Sequence, residues 1–390
     1  METTRDKLLA AEKQLNAAFV GREHAIRVIM LAHLCREHYL LVGTPGTAKT
    51  AVARAFAKHI VGARFFATLL GAFTSPEKVF GPLDIAAFQA GEYKVVRGAR
   101  LAAAEFAFLD EYFKSNEGVL NELLTALNER EFEGGPIPLM TCGAATNWPE
   151  IESRSENVAA LYDRTLLRCV VEDLTTEDDV VELLARVDGV AAYAPSVTVT
   201  LDELKCAIAE VQQVRVSEAI RKLLHNVRSR LLTRDVSGKS VTGIEISSRR
   251  IGQLQKVLRA SAWLAGRTEV TVADFSVLGY GLWNDRRDIE VVAAVLDTLD
   301  AELVRMVVDA VDQVRREYEQ VKRAGFGSAS VNALAGRIEQ VARNTRAALD
   351  EPVFTAAGRQ TIGRAIAPLK AAMIELTQRI EAAPEKGAAK

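Results

Sequence analysis

Residues Tyr39 to Ala57, YLLVGTPGTAKTAVARAFA, constrain this chain more than any other stretch. Tyr39-Leu40-Leu41-Val42 has the length and apolarity of a buried strand. Gly43-Thr44-Pro45-Gly46-Thr47-Ala48 is a turn of small residues, and Lys49-Thr50-Ala51 opens an apolar helix. A strand, a Gly-rich turn, Lys-Thr and a helix in that order make a phosphate-binding loop. Small residues let backbone N–H groups approach phosphate oxygens, and the helix N-terminus favours an anion there. Lys49 can neutralise β- and γ-phosphates, and the Thr50 hydroxyl can ligate Mg²⁺. The residue before the lysine is Ala48, where the usual pattern has Gly. An ordinary strand–turn–helix connection would also carry such a turn.

The chain has 390 residues, room for two or three domains, with nearly half of them apolar. The formal net charge of −2, with acids and bases interspersed, argues against a chain built mainly to coat nucleic acid. Four scattered cysteines, Cys35, Cys142, Cys169 and Cys206, show no CxxC spacing and read as reduced thiols. No apolar run reaches membrane-spanning length, so no membrane segment and a cytoplasmic location are expected.

In chain order, helices are expected over residues 5–18 and 23–37. The turn between them, Val20–Arg22 with Val20 and Gly21 as candidate contacts, lies close to where a base attached to the phosphates could lie. Residues 65–69 read as a second strand. The stretch from Gly71 to Gly98 is rich in turn residues, and Gln89-Ala90-Gly91-Glu92 suggests a small projecting hairpin. A long excursion of this kind in an α/β domain is usually functional. Phe106 to Leu109 reads as a buried strand with Asp110 and Glu111 at its C-terminal end, where parallel sheets bind ligands. There Asp110 would hold Mg²⁺ and Glu111 would polarise a water. The same acids would also suit the start of a helix. Residues 137–145 read as the next strand. Asn147 beyond it can hydrogen-bond the water or the γ-phosphate, or simply form a turn. Arg164 and Arg168 are spaced to share one helical face, and either could reach a neighbouring subunit's γ-phosphate. Arg249 and Arg250 open a helix against its dipole, which a phosphate would explain and a solvated surface pair would explain as well.

The segments GTPGTAKT, FLDE, ATN, LYDR and SSRR, in that order, resemble those of AAA+ ATPases of the MoxR family. Phe80 to Leu83 and Leu123 to Arg130 are most similar to its RavA branch. The resemblance spans residues 15–285. It implies an α/β fold: a P-loop NTPase αβα core with a helical lid, assembled as a hexameric ring that binds ATP and Mg²⁺. It implies Lys49 and Thr50 as the Walker A pair and Asp110 and Glu111 as the Walker B pair. It further implies Asn147 as sensor 1, Arg164 as an arginine finger acting in trans, and Arg249 as sensor 2, with Arg250 as the fallback. The 71–98 excursion would face the central pore. The family typically works with a von Willebrand A domain partner to mature a protein client by metal or cofactor insertion.

The expected domains are a nucleotide-binding core over 1–171, a helical lid over 172–287 and a three-helix bundle over 288–383. A disordered tail is expected over 384–390. The bundle rests on stripes Val292–Ala310, Val331–Val341 and Ile362–Ile380 with helical spacing. Pro368 should kink the last helix or begin it afresh. No β-rich insertion of the RavA kind interrupts these helices, so the partner bound through it is not carried over. Two rival functions are a DNA-translocating motor and a nucleotide-gated assembly scaffold. Few basic residues in the excursion, Lys78, Lys94 and Arg97, weigh against the first.

Overall fold

The computed structural model describes residues 2–382 apart from 93, 134, 153–155, 188–192, 233–243, 325–330, 332, 340 and 343–355. The tail expected to be disordered lies outside these residues.

Five strands make one parallel sheet: β1 (His38–Val42), β2 (Phe65–Leu69), β3 (Phe106–Asp110), β4 (Thr141–Thr146) and β5 (Thr165–Val170). Their order is β2-β3-β4-β1-β5. The two central strands flanking β4 are near-continuous apolar runs because both faces of the sheet are covered. Helix α1 (Thr4–Ala18) starts with a capping box between Thr3 and Asp6. Helix α2 (Glu23–Cys35) is buried on nearly every side. It packs against α1, α3 (Lys49–Ala57), β5 and two lid helices, which is why it is apolar all round. His33 sits in this core and hydrogen-bonds the Ile29 carbonyl at 2.7 Å.

The 71–98 excursion holds two short helices, α4 (Pro76–Phe80) and α5 (Ile85–Gln89). At the hairpin expected around residues 89–92, α5 ends at Gln89 and the chain turns through Ala90 and Gly91; Asp84 caps α5 through the Ala86 and Ala87 N–H. Only one antiparallel bridge, Leu83 with Val95, closes the base of this unit among the described residues. Phe80 stacks on Phe132 at 4.4 Å and ties the excursion to the core. Phe73, Ile85 and Phe88 point outward, with Phe73 fully exposed.

Helix α6 (Glu117–Glu129) follows β3 and is capped by Asn116. Helices α7 (Trp148–Glu152) and α8 (Glu156–Arg164) separate β4 from β5, and α9 (Glu177–Val187) leads out of the core. The region expected as the lid holds α10 (Leu201–Gln213), α11 (Glu218–Leu231), α12 (Ser248–Leu264) and a 3-10 segment, Val272–Tyr280. Helix α13 (Asp288–Asp297) packs on that segment and on α11, with Val292 buried. The stripe read from Val292 through Ala310 is therefore not one helix. It breaks at Thr298, and α14 (Leu299–Arg323) starts anew. Sequence spacing cannot see such a break, because the apolar period continues across it.

Beyond the break, Val311, Val314 and Tyr318 of α14 pack with Leu334, Ile338, Leu369 and Leu376 as a separate apolar cluster. Helix α15 (Ala356–Ala382) runs through Pro368 without stopping. The proline removes one backbone donor there, and packing against α14 holds the helix together.

Candidate nucleotide-binding site

The loop after β1 is shaped by close backbone approaches. Gly43 N–H donates to the Thr146 carbonyl at 3.0 Å. A Cβ at Gly43 would lie 2.0 Å from the Val171 carbonyl oxygen, so only glycine fits between β4 and β5 here. Gly46 and Ala48 both have positive φ, 89° and 63°. The alanine that replaces the usual glycine therefore takes the left-handed conformation, at a cost of about 1 kcal/mol. Lys49 is buried, and its ammonium donates to the carbonyls of Gly43 and Thr44 at 2.9 and 2.6 Å and to Thr47 Oγ1 at 3.1 Å. Burial lowers its pKa, while Asp110 and Glu111 pull the other way.

Thr50 Oγ1 donates to Asp110 Oδ2 at 2.5 Å. A hydroxyl and a carboxylate so close form a hard-oxygen pair of the kind Mg²⁺ selects, so the residues fit that ion. Asp110 Oδ1 accepts the Glu111 N–H at 3.0 Å. Glu111 has a left-handed backbone, φ 55°, at the start of a 3-10 turn, Tyr112–Lys114. That turn brings the Lys114 ammonium onto the Glu111 carboxylate, and Lys114 also lies 3.2 Å from Glu150 Oε1. Glu150 is held by Thr146 Oγ1 at 2.6 Å and by Asn147 Nδ2 at 2.9 Å.

These groups surround one cavity of about 340 Å³ at the carboxyl ends of β1, β3 and β4. Gly43 and residues 45–51 form one wall, and Asp110, Glu111, Thr146 and Asn147 form the other. Three separate stretches of sequence thus meet at the place where open α/β sheets bind ligands.

The remaining expected residues lie outside this lining. Val20 is buried, and Gly21 takes φ 63° close to Leu174. Their neighbour Arg22 links that turn to the loop: its Nε donates to the Thr47 carbonyl at 3.0 Å and its guanidinium to the Gly21 carbonyl at 2.7 Å. Arg164 is the last residue of α8 and pairs with Asp163 at 3.7 Å. Arg168 does not share its helical face, since it belongs to β5. It is fully buried, donates to the carbonyls of Thr165, Tyr162 and Trp283, and lies 3.8 Å over the Tyr162 ring. Arg168 is therefore a structural cation that joins core to lid and cannot reach a neighbour. Arg249 is exposed and donates to Asn128 Oδ1 at 2.7 Å, whereas Arg250 is buried against Asn284. Arg250 ties the start of α12 to Asn284 through one guanidinium nitrogen.

Sequence reading passed over Lys114 and Glu150. The available signal was spacing: Lys114 and Glu150 each follow an acid or amide of the site by three residues.

Residues 6–211 match a family model described as the MoxR domain in the MoxR-vWA-beta-propeller ternary systems. The chain belongs to the MoxR family of AAA+ ATPases. Residues 219–296 match an AAA lid domain, a span that takes in α13 up to Leu296. This MoxR-family chain is 30% identical over 344 residues to an uncharacterized protein of Methanocaldococcus jannaschii, covering 86% of each. It is 27% identical over 286 residues to protein MoxR of Paracoccus denitrificans, covering 68% of this chain and 83% of that one. A solved structure from Cytophaga hutchinsonii, described as a candidate ATPase, superposes with a TM-score of 0.60 at 21% identity. It covers 74% of this chain and 94% of the other, and it shows the shared fold alone. The matching family model is named for the propeller systems and not for the RavA branch.

Proposed function

We propose that this MoxR-family chain hydrolyses ATP at the 340 Å³ cavity and uses the turnover to remodel a client protein. One observation carries the reading: Lys49, Thr50, Asp110, Glu111 and Asn147 line the same cavity although they come from three strand ends. Phosphates would replace the carbonyls that Lys49 now contacts, since an anion is the stronger partner. Gly43 to Ala51 would supply backbone N–H groups to them. Thr50 and Asp110 would hold Mg²⁺, which supplies charge neutralisation at the β- and γ-phosphates. Glu111 takes a proton from water as the water oxygen bonds to the γ-phosphorus. The bond from that phosphorus to the bridging oxygen breaks, and ADP and phosphate leave. Asn147 orients the water. Val20 and Gly21 border the base.

Arg164 lies outside the cavity of its own chain, which supports a role at a neighbour's γ-phosphate in a hexameric ring. The exposure of Arg249 supports a similar role for it as sensor 2. The exposed Phe73, Ile85 and Phe88 support the 71–98 excursion as the client contact. The description of the family model supports a von Willebrand A domain partner. Cofactor or metal insertion into the client is the expected outcome. The deciding experiment is ATP hydrolysis by the purified chain with Glu111→Gln as control. No phosphate release from the parent protein, with Mg²⁺ and ATP, would overturn the reading. Client processing that survives in Glu111→Gln would make the ring a nucleotide-gated scaffold instead.

A further inference from the structure

A second cavity, of about 620 Å³, opens beside the amino end of β1, away from the nucleotide cavity at the carboxyl end. Four cations line it: Arg36 and Arg130 from the core, Lys256 and Arg259 from α12. Leu34 and Val211 give it an apolar floor. Helices α2, α6 and α10 end beside it, and their negative poles favour positive charge there without supplying a counter-ion. Two of the cations have partners. Arg130 donates to the carbonyls of Leu139, Met140 and Arg36 at 2.7, 2.5 and 2.7 Å. Lys256 Nζ lies 2.6 Å from Glu37 Oε1, and Gln253 Nε2 takes the other oxygen of that buried acid at 2.9 Å. Among the described residues, neither the Arg36 nor the Arg259 guanidinium has a hydrogen-bond or ion-pair partner, and Arg259 Nε is closed off from solvent as well. Like charges crowd here: burial, and then the neighbouring Arg36 charge, push Arg130 down to about 10.

We propose that this cavity binds a phosphate-bearing small molecule, held by the guanidinium groups of Arg36 and Arg259. Its volume is that of a small-molecule site. Two spare positive charges call for a dianion. A phosphate monoester is close to one at neutral pH, and a single carboxylate is not. Each guanidinium offers a fork of N–H groups that matches two phosphate oxygens. Turning Arg259 about its terminal bonds brings Nε into that fork and gives the stranded donor an acceptor. Arg36 occupies the left-handed cap of α2, φ 54°, which glycine would fill at less cost, but glycine would bring no charge to the cavity. Arg130 and Lys256 keep their partners and add attraction at longer range. An occupant would bridge the core to α12, the helix that carries Arg249 in its first turn, and so fix how that helix sits on the core. The nucleotide cavity shares none of these residues, so this site stands apart from the ATPase reading.

Calorimetric titration with inorganic pyrophosphate tests this, without Mg²⁺ and at about 0.15 M salt, where loose surface attraction is screened. The full chain carries Lys49→Ala, which removes the cation of the phosphate-binding loop and with it the competing site. One site with a Kd below about 1 mM is expected. Arg36→Gly suits the left-handed cap and keeps the fold, so its effect reads the lost guanidinium alone. It should weaken pyrophosphate at least about tenfold, and Arg259→Met should do the same. Binding weaker than about 1 mM in the Lys49→Ala protein overturns the proposal, and so does binding that survives both further substitutions. A hexaglutamate peptide is titrated alongside. If it binds and pyrophosphate does not, the proposal falls in favour of an acidic protein segment. If Arg259→Met proves misfolded by circular dichroism, Arg36→Gly alone decides.

Discussion

Thr50 Oγ1 and Asp110 Oδ2 lie 2.5 Å apart although 60 residues separate them in sequence. The contact joins the first turn of α3 to the end of β3 and places a hydroxyl beside a carboxylate at the cavity floor. Replacing Thr50 with Val keeps the shape and removes the ligand oxygen. ATPase activity should fall at least about tenfold, with the larger loss at low Mg²⁺. Titrating Mg²⁺ against turnover checks this.

Arg164 and Arg168 should separate cleanly. Arg164→Ala should leave the melting temperature unchanged and lower turnover by about 10³. Mixing it with Glu111→Gln subunits should restore some activity, since an interface that pairs Glu111 of an Arg164→Ala subunit with Arg164 of a Glu111→Gln neighbour is complete. Arg168→Ala strands the carbonyls of Thr165, Tyr162 and Trp283 and should cost about 2–4 kcal/mol of stability. Calorimetry and a mixed-ring ATPase assay distinguish the two outcomes.

Ala48→Gly should relieve the left-handed strain at φ 63°. A gain of up to about 1 kcal/mol in unfolding free energy is expected, less the extra freedom of glycine in the unfolded chain. Chemical denaturation measures it.

Acid should destabilise the core through two histidines. Burial lowers the pKa of His33 to about 4 and of His38 to about 3. His38 Nδ1 accepts the Cys142 N–H at 3.0 Å while Nε2 donates to the Leu127 carbonyl at 2.9 Å, so the folded ring is neutral. The unfolded chain binds these protons near pH 6.5 and the folded chain does not. Stability is therefore complete above about pH 6.5 and is lost as pH falls from there toward 3–4. Each histidine contributes a slope of up to about 1.4 kcal/mol per pH unit. His38→Gln should remove its share of the slope in denaturation curves collected from pH 7 to 5.

The sequence by itself determined the loop, its lysine and hydroxyl, the two acids at a strand end and the order of the segments. Those features are local: a strand followed by small residues and a helix encodes its own geometry. It also determined apolar stripes through Leu334, Ile338, Leu369 and Leu376, which join the separate cluster; the α14 members of that cluster, Val311, Val314 and Tyr318, lie beyond the stripe read from Val292 to Ala310. What only the tertiary structure decided is which groups meet. Arg168 carries the same charge and nearly the same sequence context as Arg164. Its burial beneath Trp283 follows from how the lid docks, and no spacing reports that. The helix break at Thr298 was hidden because apolar periodicity does not register a change of packing partner. The Glu111–Lys114–Glu150–Asn147 chain was hidden for a related reason. Two strand ends distant in sequence must lie side by side before a lysine on one can bridge to a carboxylate on the other.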